Sequence, residues 1–335
     1  MREDLLKQCV IPPIVLALTN SDIVEGDCDS NKVKKIIANK DDLVILDGLQ
    51  RTYTIFDLLT DLRENGNDSD LNKVLGTKLR VEIYVGLNRL GVLYRMLTLN
   101  TGQTPMSLRQ QIEMLYLDYL GNCDSGVDLV REVDGRVANR TSQYNFKDVI
   151  EGFNAYLDRD ELPIDKANIL ENINSLEKLS KENQSNDLFK SYVASLDKFI
   201  LKAIDVSNSV EITSDYVDNK GTPFGKNAIQ IFKKPQAFSG FGAAIGKLID
   251  FKIVDSYSDI DDLINDIKCD DPELFVENIN DALLWLKGNS KKIGNAQRTF
   301  FAFYFRDLFN PDTESFKDLE KAASTALRKY QAQNM

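Results

Sequence analysis

The 335-residue chain contains no histidine. That absence removes histidine general bases, Ser-His-Asp and Cys-His catalytic arrangements, and mixed Cys/His zinc sites. Any catalysis must run on carboxylates, lysine, arginine, tyrosine, hydroxyls or amides. Cysteine is scarce: Cys9, Cys28, Cys123 and Cys269 are scattered, with no CxxC pairing and no metal-ligand spacing. Free thiols in a reducing compartment are expected, with no disulfide and no structural zinc. Long hydrophobic runs are missing too, since none approaches the ~20 apolar residues of a membrane span. The run 10–18 is short and interrupted by Pro12 and Pro13, without a cationic leader or a small-residue cleavage site. It is not expected to be a signal peptide. Cytoplasm is the expected location, with no membrane partner. Positive charge is in deficit, with 41 lysines and arginines against 52 acids for a net charge of −11. An acidic whole argues against coating nucleic acid over the entire surface, but leaves room for a local basic face.

What is present suits a globular protein. Hydrophobic residues make up 43% and charged residues 28% of the chain, enough for one large core or two ordinary ones. Residues 10–18 read as a strand, with the two prolines at its entry. Lys32–Asn39 is expected to form a short helix. Leu43-Val44-Ile45-Leu46 is a continuous apolar run of the buried-strand type, broken by Asp47-Gly48. From Leu49 the period changes, and Ile55, Leu58, Leu59 and Leu62 recur at helical spacing, predicting a helix from about Gln50 to Leu62. Leu79–Val85 alternates as a strand, Leu87–Asn100 reads as helical, and Ser107 with Gln110 predicts a capping box. Later segments read as helices: 145–158, 165–180, 187–205, 240–251, 259–267, 273–286, 295–309 and 315–333. The expected class is α+β. A small α/β unit over residues 1–125 precedes a mostly helical region over 126–335.

The chemically loaded element is the strand-turn-helix at Asp47-Gly48-Leu49-Gln50-Arg51-Thr52. A glycine permits a sharp turn, and the first N–H groups of the helix then point back over the strand end as an anion site. Arg51 offers a planar fork for phosphate, Gln50 donates or accepts, and Asp47 offers a metal ligand or a water acceptor. The same residues also serve a plainer arrangement, in which Asp47 caps the helix and Arg51 is solvated.

The string Leu46-Asp47-Gly48-Leu49-Gln50-Arg51-Thr52 resembles the DGQQR or DGQHR motif of the ParB/sulfiredoxin superfamily. A second patch, Leu99-Asn100-Thr101-Gly102-Gln103-Thr104-Pro105, is similar to the asparagine-containing loop of many of those proteins. The resemblance spans roughly residues 10–120, and Leu49 stands where glutamine is usual. It implies a ParB/sulfiredoxin-like nucleotide-binding domain in a bacterial anti-phage or DNA-processing system. By that resemblance Asp47, Gln50 and Arg51 are the candidate catalytic residues of an NTPase, and Asp47 the candidate metal ligand. Gly48, Arg51, Thr52, Asn100 and Gln103 are the candidate nucleotide contacts, with Mg²⁺ and an NTP as the implied cofactors. The alternative is a non-catalytic sensor or adaptor on the same fold, which Leu49 favours by removing a polar group from the site.

Other motifs carry less. Gly221–Asn227 is one residue short of a P-loop, and Asn227 stands where the magnesium-binding hydroxyl belongs. The glycines of Gly240–Gly246 read as close helix packing. Lys287–Arg306 holds Lys291, Lys292 and Arg298 beside Phe300, Phe301, Phe303, Tyr304 and Phe305. Basic residues beside aromatics suit DNA or RNA binding, and equally an amphipathic helix with a buried aromatic side. A protein partner or homo-oligomer is also expected.

Overall fold

The computed structural model describes residues 1–18, 43–85, 87, 91–92, 95–96, 99, 126–131, 135–163 and 188–334. Two compact units divide at Ser107/Leu108. The boundary expected at 125/126, the helices expected over 32–39 and 165–180, and the capping box expected at Ser107 and Gln110 fall at or among residues outside those described.

The N-terminal unit is mixed. Helix α1 (Arg2–Leu6) precedes strand β1 (Ile14–Leu18). Strand β2 (Leu43–Asp47) leads through Gly48 into helix α2 (Leu49–Glu64). Helix α3 (Asp68–Leu75) and strand β3 (Val81–Tyr84) follow, and Gly91, Val92, Arg95, Met96 and Leu99 are helical. The sheet order is β2-β1-β3, with β1 antiparallel to β2 and parallel to β3. Val15, Ala17 and Leu18 of the central strand are buried, as expected of a strand flanked on both edges. A register shift between Val15 and Leu16 on the β2 side pairs Val15 with Asp47, which sets the end of β2 beside the entry of β1. The inner face of α2 packs Leu58 and Leu62 with Leu5, Ile11 and Val74. Helix α3 was not foreseen. It starts where the Asn67 side chain accepts the Asp70 N–H at 3.3 Å, a side-chain cap on a segment with few apolar residues.

The C-terminal unit is mostly helical. Strands β4 (Asp128–Val130) and β5 (Gln143–Asn145) form a two-stranded parallel pair. Helices α4 (Phe146–Asp158), α5 (Leu188–Val206), α6 (Ser214–Lys220) and α7 (Ala228–Phe232) follow. Next come α8 (Pro235–Asp250), α9 (Tyr257–Asn265), α10 (Pro272–Asn289), α11 (Ile293–Phe309) and α12 (Leu319–Asn334).

Helix α8 is the centre of the unit, packed between α4 and α11. Its glycines make that possible. A Cβ on Gly240 would stand 2.4 Å from Phe301 of α11, and one on Gly242 would stand 2.0 Å from the Gly152 carbonyl oxygen of α4. Only the bare glycine surface lets the backbones meet this closely. Around it lies an aromatic core in which Phe199, Phe232, Phe241 and Phe305 are buried and meet ring to ring, an arrangement favoured when ring edges meet ring faces.

Candidate functional site

The candidate site forms where β2 ends. Gly48 has φ +100 and ψ 10, a left-handed conformation that L side chains rarely adopt, and it stands at the N-cap of α2. A Cβ there would also come within 3.3 Å of the Ile14 backbone in β1. The left-handed turn calls for glycine, and the approach of the neighbouring strand leaves a side chain there little room.

No side chain caps this end of α2. Among the described residues the N–H groups of Leu49, Gln50 and Arg51 find no backbone or side-chain acceptor, while the Thr52 N–H bonds the Gly48 carbonyl at 2.9 Å. These are the orphan donors of a helix start, aligned with the positive end of its dipole. The Thr52 hydroxyl also donates to the Gly48 carbonyl, at 3.1 Å, and so braces the turn.

Asp47 does not cap the helix as the plainer sequence reading had it. One of its carboxylate oxygens accepts the Gly48 N–H at 2.7 Å and the other accepts Arg51 Nη2 at 2.6 Å. Nor is Arg51 a solvated side chain. It folds back over the turn, donates also to the Pro13 carbonyl at 3.0 Å, and is only 16% exposed, against 20% for Asp47. Its Nε is buried without a hydrogen-bond partner. A buried donor in that state carries a desolvation cost that an arriving acceptor would relieve. Both carboxylate oxygens of Asp47 are thus engaged, one by the Gly48 N–H and the other by Arg51. Among the described residues no group of three or more acidic or thiol side chains is placed to hold a metal ion.

Beside this turn α2 presents an apolar stripe to solvent. Leu49, Tyr53 and Phe56 are 52%, 60% and 64% exposed. Their spacing of four and three residues sets them on one face, beginning at the helix start. Gln50 is exposed next to them. The helical spacing of Ile55, Leu58, Leu59 and Leu62 marks the inner face of α2, and the steps of four and three residues from Leu49 to Tyr53 to Phe56 are the sequence signal of this outer one. Asn100 and Gln103 lie outside the described residues.

The second candidate region separates into parts. Lys291 and Lys292 are exposed in the turn before α11. Arg298 does not join them: its Nε and Nη2 both donate to Glu151 Oε1 of α4, the former at 3.0 Å, and its Nη1 donates to the Gly294 carbonyl at 3.2 Å. The aromatic side chains from Phe300 to Phe305 are buried, so they build the core and offer no platform for base stacking. The near-miss P-loop is likewise structural. The Asn280 side chain, buried in α10, accepts the Phe224 N–H at 2.7 Å and donates to the Gly225 carbonyl at 3.0 Å, while Asn227 caps α7 by accepting the Gln230 N–H at 3.0 Å.

Two cysteines fall among the described residues, and both are free thiols: Cys9 is exposed and Cys269 partly buried. Burial, reinforced by Glu320, Asp318, Asp271 and Asp270, pushes the Cys269 thiol up to about 12, which leaves it protonated and unreactive at neutral pH. Buried Tyr144 donates to Asp197 at 2.6 Å. Desolvation first, and then the Asp197 charge, raise its pKa far out of the physiological range, so it is a core hydrogen bond and not an acid.

Comparison with protein-family models, curated proteins and solved structures gave no match to this chain. Among the described residues no helix is long and apolar enough to cross a membrane.

Proposed function

We propose that the N-terminal unit binds the phosphates of a nucleotide at the start of α2, and that it acts as a sensor more than as a hydrolase. One observation carries the reading. An uncapped helix start, reached through a left-handed glycine, stands beside an arginine whose Nε is buried without a partner. Backbone N–H groups and the dipole favour an anion there, and a planar guanidinium favours phosphate in particular. The exposed Leu49, Tyr53 and Phe56 stripe supplies an apolar surface beside those donors for the nucleoside.

The state of Asp47 argues for binding over hydrolysis. Its carboxylate is engaged by Gly48 and Arg51, so it holds the arginine in place, and any magnesium present arrives on the phosphates of the NTP. Gln50 is exposed at the helix start, where its amide would meet a ligand bound there. The resemblance to the ParB/sulfiredoxin superfamily points the same way and suggests service in a bacterial defence or DNA-processing system.

Phosphate release from a panel of NTPs with magnesium, compared between the wild type and Arg51→Ala, separates the two forms of the reading. A sensor binds with no Arg51-dependent release. Release that Arg51→Ala abolishes would make the unit an NTPase. A parallel titration with inorganic tripolyphosphate tests the stripe: a nucleoside triphosphate binds more tightly, and Tyr53→Ala removes the difference.

A further inference from the structure

The C-terminal unit carries opposite charges at the two ends of one helix. Near the N-terminal end of α11, Lys287 in the last turn of α10 and Lys291 and Lys292 in the turn that joins the two helices are all exposed, and Ile293, the first residue of α11, is exposed beside them. Between Asp281 and Asp307 the sequence has no acidic residue. None of the three lysines makes an ion pair among the described residues. Lys292 itself stands at the N-cap of α11, without a side-chain cap. A cation at that position opposes the helix dipole, so these charges do not serve the helix they precede.

Just past the C-terminal end of α11 lies an open cleft of about 330 Å³. Ile253, Leu263, Pro311 and Phe316 give it an apolar floor, and Asp255, Asp259 and Asp262 an acidic rim, with Lys252 also lining it. Asp259 is occupied, accepting the Asp255 and Ser256 N–H groups at 2.8 and 3.1 Å. Asp255 and Asp262 are exposed and make no ion pair among the described residues. Residues 255–271 contain seven aspartates and one lysine; Asp266 among them pairs with Lys317 at 2.7 Å, which leaves Asp255 and Asp262, among the described residues, as the unpaired carboxylates of the cleft.

From the 17 residues of α11 the two ends lie about 25 Å apart, at a rise of ~1.5 Å per residue. One copy cannot bring its own turn to its own cleft. We propose that the turn at Lys291, Lys292 and Ile293 of one copy docks into the acidic cleft of a second copy. Ile293 meets the apolar floor, and the two lysines pair with Asp255 and Asp262. The contact is head-to-tail, so a pair leaves one copy's cleft and the other copy's turn free, and the assembly grows as a chain or closes as a ring. The net charge of −11 opposes association at long range. The contact therefore depends on this local complementarity, which sets orientation as much as strength.

Charge reversal tests it on the full chain. One variant carries Lys291→Glu with Lys292→Glu, and the other carries Asp255→Lys with Asp262→Lys. All four side chains are exposed, and circular dichroism verifies that both variants fold. Sedimentation velocity over a concentration series should show the wild type associating. Each variant alone should weaken association by more than about tenfold, since like charges then face each other. An equimolar mixture should associate again, because each variant's turn now matches the other's cleft. A wild type that stays monomeric throughout the series would overturn the inference, as would a mixture that fails to recover. The same lysines are also open to a phosphate backbone, so anisotropy of a labelled single-stranded oligonucleotide is read in parallel. Lysine-dependent binding of that probe by a monomeric protein would assign the turn to nucleic acid and remove the self-contact.

Discussion

The two units treat the same residue types in opposite ways. In α11 of the C-terminal unit, five neighbouring aromatic side chains beside basic residues all turn inward. In α2 of the N-terminal unit, Tyr53 and Phe56 lie beside a basic first turn and stay exposed. Both helices carry an arginine that folds onto a carboxylate, Arg51 onto Asp47 four residues earlier and Arg298 onto Glu151, 147 residues away. An aromatic beside a cation is thus no sign of a binding surface by itself. What separates the cases is whether the rest of the unit has a core to receive the ring. The C-terminal unit has one, built around the bare face of α8, whereas α2 has already spent its inner face on Leu58 and Leu62.

The sharpest way to break this contrast is at the α8 seam. Gly242→Val forces atoms against the Gly152 carbonyl, where even a Cβ would stand at 2.0 Å. Overpacking of this kind costs roughly 3 kcal/mol or more. The lone tryptophan, Trp285, lies in α10 of this unit, so urea unfolding followed by its fluorescence reads the loss. A change below about 1 kcal/mol would mean that the seam is loose.

In the same unit, Arg298→Met leaves the Glu151 carboxylate without its main partner. Losing one side of a partly buried, charge-assisted pair costs about 1–3 kcal/mol, measured by the same unfolding curve. Glu151→Gln, which keeps the shape and removes the charge, should cost less.

In the N-terminal unit the corresponding test is Gly48→Ala. It places a side chain at φ +100, a strain of about 1–2 kcal/mol. Hydrogen exchange followed by mass spectrometry should show faster opening over residues 43–62, and unchanged exchange there would contradict the account of the turn.

The smallest effect is chemical. Exposed Cys9 should alkylate at neutral pH, while Cys269, its thiol raised to about 12, should stay unmodified until the unit unfolds. Peptide mapping after iodoacetamide distinguishes them, and rapid labelling of Cys269 in the folded protein would overturn its assigned environment.

Much of this was legible in the sequence wherever period and local chemistry agree. The change from strand to helix at Asp47-Gly48 is realised as β2 and α2, with the helix from Leu49 to Glu64 in place of the expected Gln50 to Leu62. The mixed, mostly helical class follows from the same periodicities, and the glycines of α8 pack as read. Three-residue strands such as β4 and β5 are too short for any period to show. Helix α9 starts at Tyr257, two residues earlier than expected, because Asp259 accepts the Ser256 N–H at 3.1 Å, a reciprocal cap that hydrophobic spacing alone does not reveal. The destination of Arg298 depends on a partner 147 residues distant, and no local pattern carries that information. Arg51 is the instructive case. Its carboxylate stands four residues earlier, at a spacing that joins side chains within a helix, yet Asp47 belongs to a strand, and the left-handed turn at Gly48 is what brings the pair together.

The most direct test of the central claim is calorimetric titration of nucleoside triphosphates into the wild type and Arg51→Ala, with melting curves of both. The account predicts that the wild type binds and melts at a higher temperature with ligand. Arg51→Ala should bind about ten- to a hundred-fold more weakly, the loss of one charge-assisted hydrogen-bond pair, while its circular dichroism shows the fold retained. Equal affinity in the two proteins, or no binding by the wild type, would contradict the account and leave the Asp47–Arg51 pair as a brace for the turn alone.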